Sequence, residues 1–148
     1  MRSDNPTVAR LALAILLLVA WSPLWAQAGD DIPNCPPTPD CVTSAPTADD
    51  GHHVLPLRFE GSAENAWDRL RQALKSQARV AVVEDANGHI RAEATSAVFR
   101  FVDDVEFRLD PATRLIHVRS ASRVGYWDFG VNRRRIESLR EKLSRGKD

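Results

Sequence analysis

The chain has 148 residues, with 20 basic and 20 acidic side chains, a formal net charge of zero and 43% hydrophobic residues. That length favours one domain, and the zero balance argues against a dedicated nucleic-acid binder, which carries a clear basic excess. The balance is uneven along the chain: six acids accompany one base from Gly29 to Glu60, whereas ten bases accompany four acids from Pro111 to the end.

Arg2 and Arg10 flank a short polar start. Leu11 to Ala20 is an unbroken apolar run, extended by Trp21 and Trp25 around Pro23. Ala26-Gln27-Ala28 supplies the small residues a signal peptidase reads, so residues 1–28 are expected to be a signal peptide cleaved after Ala28. The apolar stretch over residues 11–25 falls short of the roughly 20 that span a bilayer, although left uncleaved it would anchor the chain. No cysteine closely follows it, which argues against lipid attachment. The reading is an exported protein, in the periplasm, with membrane contact only if residues 11–25 are retained.

Gly29 to Gly51 is rich in Pro, Asp, Thr and Ser and reads as an extended arm, with the single folded domain over residues 52–148. Cys35 and Cys41 are the two cysteines, and in an exported chain such a pair predicts a disulfide. Two thiols with no further ligand at a zinc-like spacing do not make a metal site.

Leu55, Leu57 and Phe59 alternate with Pro56, Arg58 and Glu60, which predicts a half-buried strand placed at an edge by its proline. Ser62 can cap a helix in which Ala63, Ala66, Trp67, Leu70, Ala73 and Leu74 recur at helical spacing. Two strands follow, Val80 to Glu84 and His89 to Thr95, around the Asn87-Gly88 turn, with Ala86 opposite His89 and Glu84 opposite Arg91. A second hairpin joins Phe101–Leu109 to Arg114–Ser120 through Asp110-Pro111-Ala112-Thr113. Pairing Asp110 with Thr113 sets Phe107 against Ile116 and Val105 against Val118 inside, and Asp104 against Arg119 and Glu106 against His117 outside. The last helix covers about Val131 to Leu143, with Ile136, Leu139 and Leu143 inward. The order β-α-β-β-β-β-α predicts an α+β two-layer sandwich, helices on one face of a mainly antiparallel sheet.

The stretches Phe101–Phe107 (FVDDVEF), Val118–Ile136 (VRSASRVGYWDFGVNRRRI) and Cys35–Val42 (CPPTPDCV) resemble the family catalogued as domain of unknown function 1499. The likeness covers nearly all of the chain beyond the leader. It implies an exported or membrane-associated protein of bacterial or plastid type, and it implies no particular activity.

Asp103 shares parity with Phe101, Val105 and Phe107, so a straight strand aims its carboxylate into the core, where an unpaired charge costs several kcal/mol. It therefore needs a base, other donors or a bulge. A base from the segment Arg123 to Arg134 is the expected partner, while Arg119 is expected to pair with Asp104. Such a network can simply hold the last helix to the sheet. It can also form a ligand pocket, with Asp103, Asp104, Arg119, Arg123, Arg133 and Arg134 as charged groups and Tyr126 and Trp127 as an apolar wall. Asp103, Asp104 and Glu106 converge poorly on a cation because neighbours on a strand face opposite sides. His52, His53 and His117 read as ordinary residues, and Ser120 and Ser122 lack the setting of a nucleophile. The Arg133-Arg134-Arg135 run reads as a solvated or lipid-facing helix face.

Two classes of function remain. One is a non-catalytic envelope module that binds a small anionic or lipidic ligand or a partner protein, with no cofactor. The other is a hydrolytic enzyme using the acidic strand Asp103/Asp104/Glu106. No catalytic constellation is recognisable, which favours the first.

Overall fold

The computed structural model of the chain describes residues 32–145. The signal peptide expected over residues 1–28 lies outside the described residues. No helix among those described is long and apolar enough to cross a membrane.

Eight elements follow in order: β1 (Cys41–Thr43), β2 (Leu57–Arg58), α1 (Ala63–Lys75), β3 (Val80–Ala86), β4 (His89–Thr95), β5 (Val102–Asp110), β6 (Leu115–Ser122) and α2 (Val131–Arg145). The strands form one antiparallel sheet in the order β1-β6-β5-β4-β3, with β2 also paired to β6. This is the α+β architecture expected from the sequence, with one more strand ahead of it.

That strand corrects the reading of the proline-rich segment as an arm. Cys41 pairs with Ala121 and Thr43 with Arg119, and Asp40 through Ala45 are buried. β1 and β2 run end to end along the same edge of β6, so the fold starts well before His52. Three residues show no usable alternation, so the segment's prolines dominated its reading. The disulfide Cys35–Cys41 clips the loop that leads into β1.

The helices form for the reasons the pattern supplies. Ser62 accepts the N–H of Asn65 at the start of α1, Glu64 lies in its first turn and Lys75 in its last. Its buried stripe is Ala66, Trp67, Leu70 and Leu74. With Ile136 and Leu139 of α2, that stripe packs on Ile90, Ala94, Val105, Phe107, Ile116 and Val118 of the sheet. Among the described residues, the buried members of this core lie between Val42 and Leu139.

The first hairpin has the expected register, Ala86 opposite His89 and Glu84 opposite Arg91, with a bulge between Val82 and Glu84. Asn87 and Gly88 turn it with φ of 51° and 71°. The second hairpin differs. The carboxylate of Asp110 accepts the N–H groups of Ala112 and Thr113, and Arg114 takes a left-handed φ of 57°, so the loop is two residues longer. Asp110 consequently pairs with Leu115, Phe107 with Val118, Val105 with Ser120 and Glu106 with Arg119. A shift of two residues preserves each side chain's face while changing its partner. The expected Asp104–Arg119 and Glu106–His117 pairs are thereby replaced.

Closing the Cys35–Cys41 loop, about 7 residues, restricts the unfolded chain by about 2.4 kcal/mol, an upper figure given its stiff prolines. The double change Cys35→Ser, Cys41→Ser should lower the urea unfolding free energy by no more than that. Non-reducing peptide mapping of the parent should recover both cysteines in one cross-linked fragment.

Candidate functional site

Asp103 is 6% exposed and faces inward, as its parity requires. Its partner is Arg135 of α2, whose Nη2 lies 2.5 Å from Asp103 Oδ2. The base thus falls one residue beyond the segment Arg123 to Arg134 named from sequence. Helix geometry gives the reason: Asn132, Arg135, Ile136 and Leu139 follow the i, i+3, i+4, i+7 spacing of a single face, and Arg133 and Arg134 are rotated off it.

Around the pair runs a buried polar network. Arg135 Nη1 donates to Ser120 Oγ at 2.9 Å and to Asn132 Oδ1 at 2.6 Å. Ser120 Oγ donates to Asn132 Oδ1 at 2.5 Å, and Asn132 Nδ2 donates to the Asp40 carbonyl at 2.8 Å and to Ser122 Oγ at 3.1 Å. Asp128 accepts the N–H groups of Gly130 and Asn132 at the start of α2, where a carboxylate also meets the positive end of the helix dipole.

The remaining predicted site residues do not gather here. Asp104 lies on the outer sheet face in a bidentate pair with Arg123, which also binds Glu93. Hydrogen bonding by Arg123 holds the Asp104 carboxyl below the usual carboxylate range, against the opposing effect of burial. Arg119 binds Glu106 at 3.0 Å. Arg133 donates to the carbonyls of His53 and Gly51, and Arg134 to that of Phe129. The four arginines expected to receive an anion are therefore all engaged within the protein. Asp103 and the pair Asp104 and Glu106 face opposite sides of the sheet, so the acidic strand does not assemble one carboxylate cluster.

Above the buried pair stands an apolar mouth. The β4–β5 connection (96–101) and the β6–α2 connection (123–130) leave the same end of the sheet, where Thr95 pairs with Val102 and Asp103 with Ser122. Eight of the ten exposed large apolar side chains among the described residues lie in these connections or at Val131, the first residue of α2. A groove of about 240 Å³ opens between them, walled by Phe99, Phe101, Val124, Trp127, Phe129 and Val131, with Asp103 and Ser122 at its floor. The rings of Phe99 and Phe101 stack at 5.6 Å, and Tyr126 meets Trp127 edge-on at 5.8 Å. A second hollow of about 290 Å³ lies between Pro37, Pro39 and His52 and Tyr126 and Trp127.

Trp127 lines this groove and Tyr126 lines the second hollow, whereas on the 96–101 side only Phe101 had a sequence signal, as an inward strand residue. The strand instead begins at Val102, and Phe101 is exposed. Arg135 also had a signal, its spacing to Ile136 and Leu139.

A charged pair thus lies buried beneath an aromatic groove in an α+β domain. The family model "Protein of unknown function (DUF1499)" matches residues 31–143, and the chain belongs to that family. No curated protein matches it.

Removing Arg135 leaves Asp103 charged and buried. Arg135→Ala should cost about 3–5 kcal/mol in chemical denaturation, and adding Asp103→Leu should recover much of it. Arg145→Ala breaks an exposed pair with Glu141 and should cost less than about 1 kcal/mol.

His52 supplies a pH test. Its Nδ1 lies 2.8 Å from Asp49, and its Nε2 meets the Thr38 carbonyl at 3.0 Å. The Asp49 hydrogen bond raises its pKa above the ordinary histidine value, with Thr38 adding and burial opposing. Because the folded value is raised, this stabilisation is complete below the unfolded value, about 6.5, and is lost as pH rises through the folded one. NMR titration should give His52 a midpoint above about 6.5 that falls in Asp49→Asn.

Proposed function

We propose that this protein is a non-catalytic binding module that holds an amphiphilic, lipid-like ligand between the 96–101 and 123–130 connections. The observation that carries the reading is the concentration of exposed aromatic and aliphatic side chains around one groove with a few polar groups at its floor. Asp103 Oδ2 is taken by Arg135, and Oδ1 carries no hydrogen bond among the described residues, so the floor favours a donor such as a hydroxyl or amine. An anionic head fits poorly beside that carboxylate. The groove is smaller than the roughly 300–1,000 Å³ of sites for drug-sized ligands, so part of the ligand projects past the loops. The disulfide supports an oxidising compartment, and with the leader it supports export to the periplasm.

Native mass spectrometry of protein purified from its own host should show a retained neutral or cationic amphiphile. In a titration with Nile red, a neutral apolar dye, emission should rise with the parent and stay low with Phe101→Asp. A bare protein that also fails to bind the dye overturns the reading, and a retained divalent ion would move it toward the hydrolytic alternative.

A further inference from the structure

We infer that the tips of the two connections seat the domain on the surface of a lipid bilayer. This rests on the groove reading, because a groove that takes only part of an amphiphile is served best where the remainder stays in hydrocarbon.

Among the large apolar side chains, exposure is highest at residues of the two connections. Phe129 is 84% exposed, Val98 78% and Phe99 74%, whereas Phe101 at 48% and Val131 at 40% are more covered. A protein partner of ordinary interface shape covers a broad patch, while a bilayer accepts tips that all project one way. Tyr126 and Trp127 add amphipathic rings of the kind that settle at the headgroup level.

Backbone conformation points to the same use. Phe129 holds a left-handed φ of 53°, and Arg100, between Phe99 and Phe101, holds one of 59°. Bulky residues rarely adopt that region, and such strain persists at sites of function. At Phe129 the turn is fixed by Gly130 at φ 75° and by Arg134 donating to the Phe129 carbonyl at 2.7 Å. The protein thus fixes in water an aromatic ring that buries little of itself, on a backbone that itself costs energy.

Charge at this end of the sheet complements an anionic lipid surface. Arg79 immediately precedes Val80, which pairs with Ala94, so it stands at the same end as Arg100. Both are exposed and make no ion pair among the described residues. The acids nearby are committed: Asp103 to Arg135, Glu93 and Asp104 to Arg123, and Asp128 to the start of α2.

The test uses residues 29–148, the chain expected once the leader is cleaved, which contain only two tryptophans, Trp67 buried in the core and Trp127 at the mouth. With phosphatidylcholine vesicles containing phosphatidylglycerol, the protein should co-sediment, and brominated lipid should quench Trp127. The double change Val98→Asp, Tyr126→Asp touches both tips without altering a wall of the groove. It should weaken vesicle binding roughly tenfold or more while leaving the Nile red titration unchanged. Absence of parent binding, or binding indifferent to these changes, overturns docking even if the dye still enters. If the double change instead abolishes a concentration-dependent dimer and no vesicle binding is seen, the surface is a self-interface and the inference fails.

Discussion

A carboxylate on the apolar face of β5 constrains everything packed against that end of the sheet. Asp103 must be met by a positive group that is itself held in place, and a loose lysine from solvent would not serve in so dry a position. Arg135 answers it from one helical face shared with Asn132, Ile136 and Leu139, so the ion pair fixes the rotation of α2 as well as its position. Ser120 and Asn132 then accept from Arg135 Nη1, and Asn132 reaches on to the Asp40 carbonyl. The charge thereby couples a central strand, the last helix and the segment that forms the edge strand. A buried pair of this kind contributes little net stability relative to apolar packing, and its value lies in admitting one arrangement.

The opposite sheet face solves a different problem. Among the described residues no second layer covers it, and antiparallel sheets tolerate that when the outward residues are polar. Here the polar residues are ionic and neutralised locally: Glu93 and Asp104 share Arg123, Glu106 takes Arg119, and Glu84 lies near Arg91. Exposed pairs like these contribute modestly, and the more direct result is a hydrated face with no strong field of either sign.

Much of this frame was legible in the residues. Asn87-Gly88 fixed one hairpin register outright, because only a turn with two positive φ values suits that pair. The other register moved by two residues because the Asp110 side chain, capping its own turn, competes with the tighter loop that Pro111 suggests. Inner and outer faces survived the move, so Asp103 was correctly read as buried while Asp104 and Arg119 were given the wrong partners. Arg135 was hidden by company, since a run of three arginines reads as a solvated face until helical phase singles out the third. In the 96–101 connection only Phe101 carried a signal, and that signal turned inward a ring that the structure exposes. Periodicity reports burial, and Val98 and Phe99, exposed in a connection, show none.

The bulge in β3 has a bearing on how the molecule behaves among its own kind. Among the described residues, β1 and β2 form one margin of the sheet and β3 forms the other. A foreign strand approaching that margin meets an interrupted ladder between Val82 and Glu84, followed by the carboxylates of Glu84 and Asp85. Kinks and charges of this sort discourage sheets from extending into one another. The polypeptide can therefore display sticky aromatic tips at one extremity while its β3 flank discourages fibrous growth.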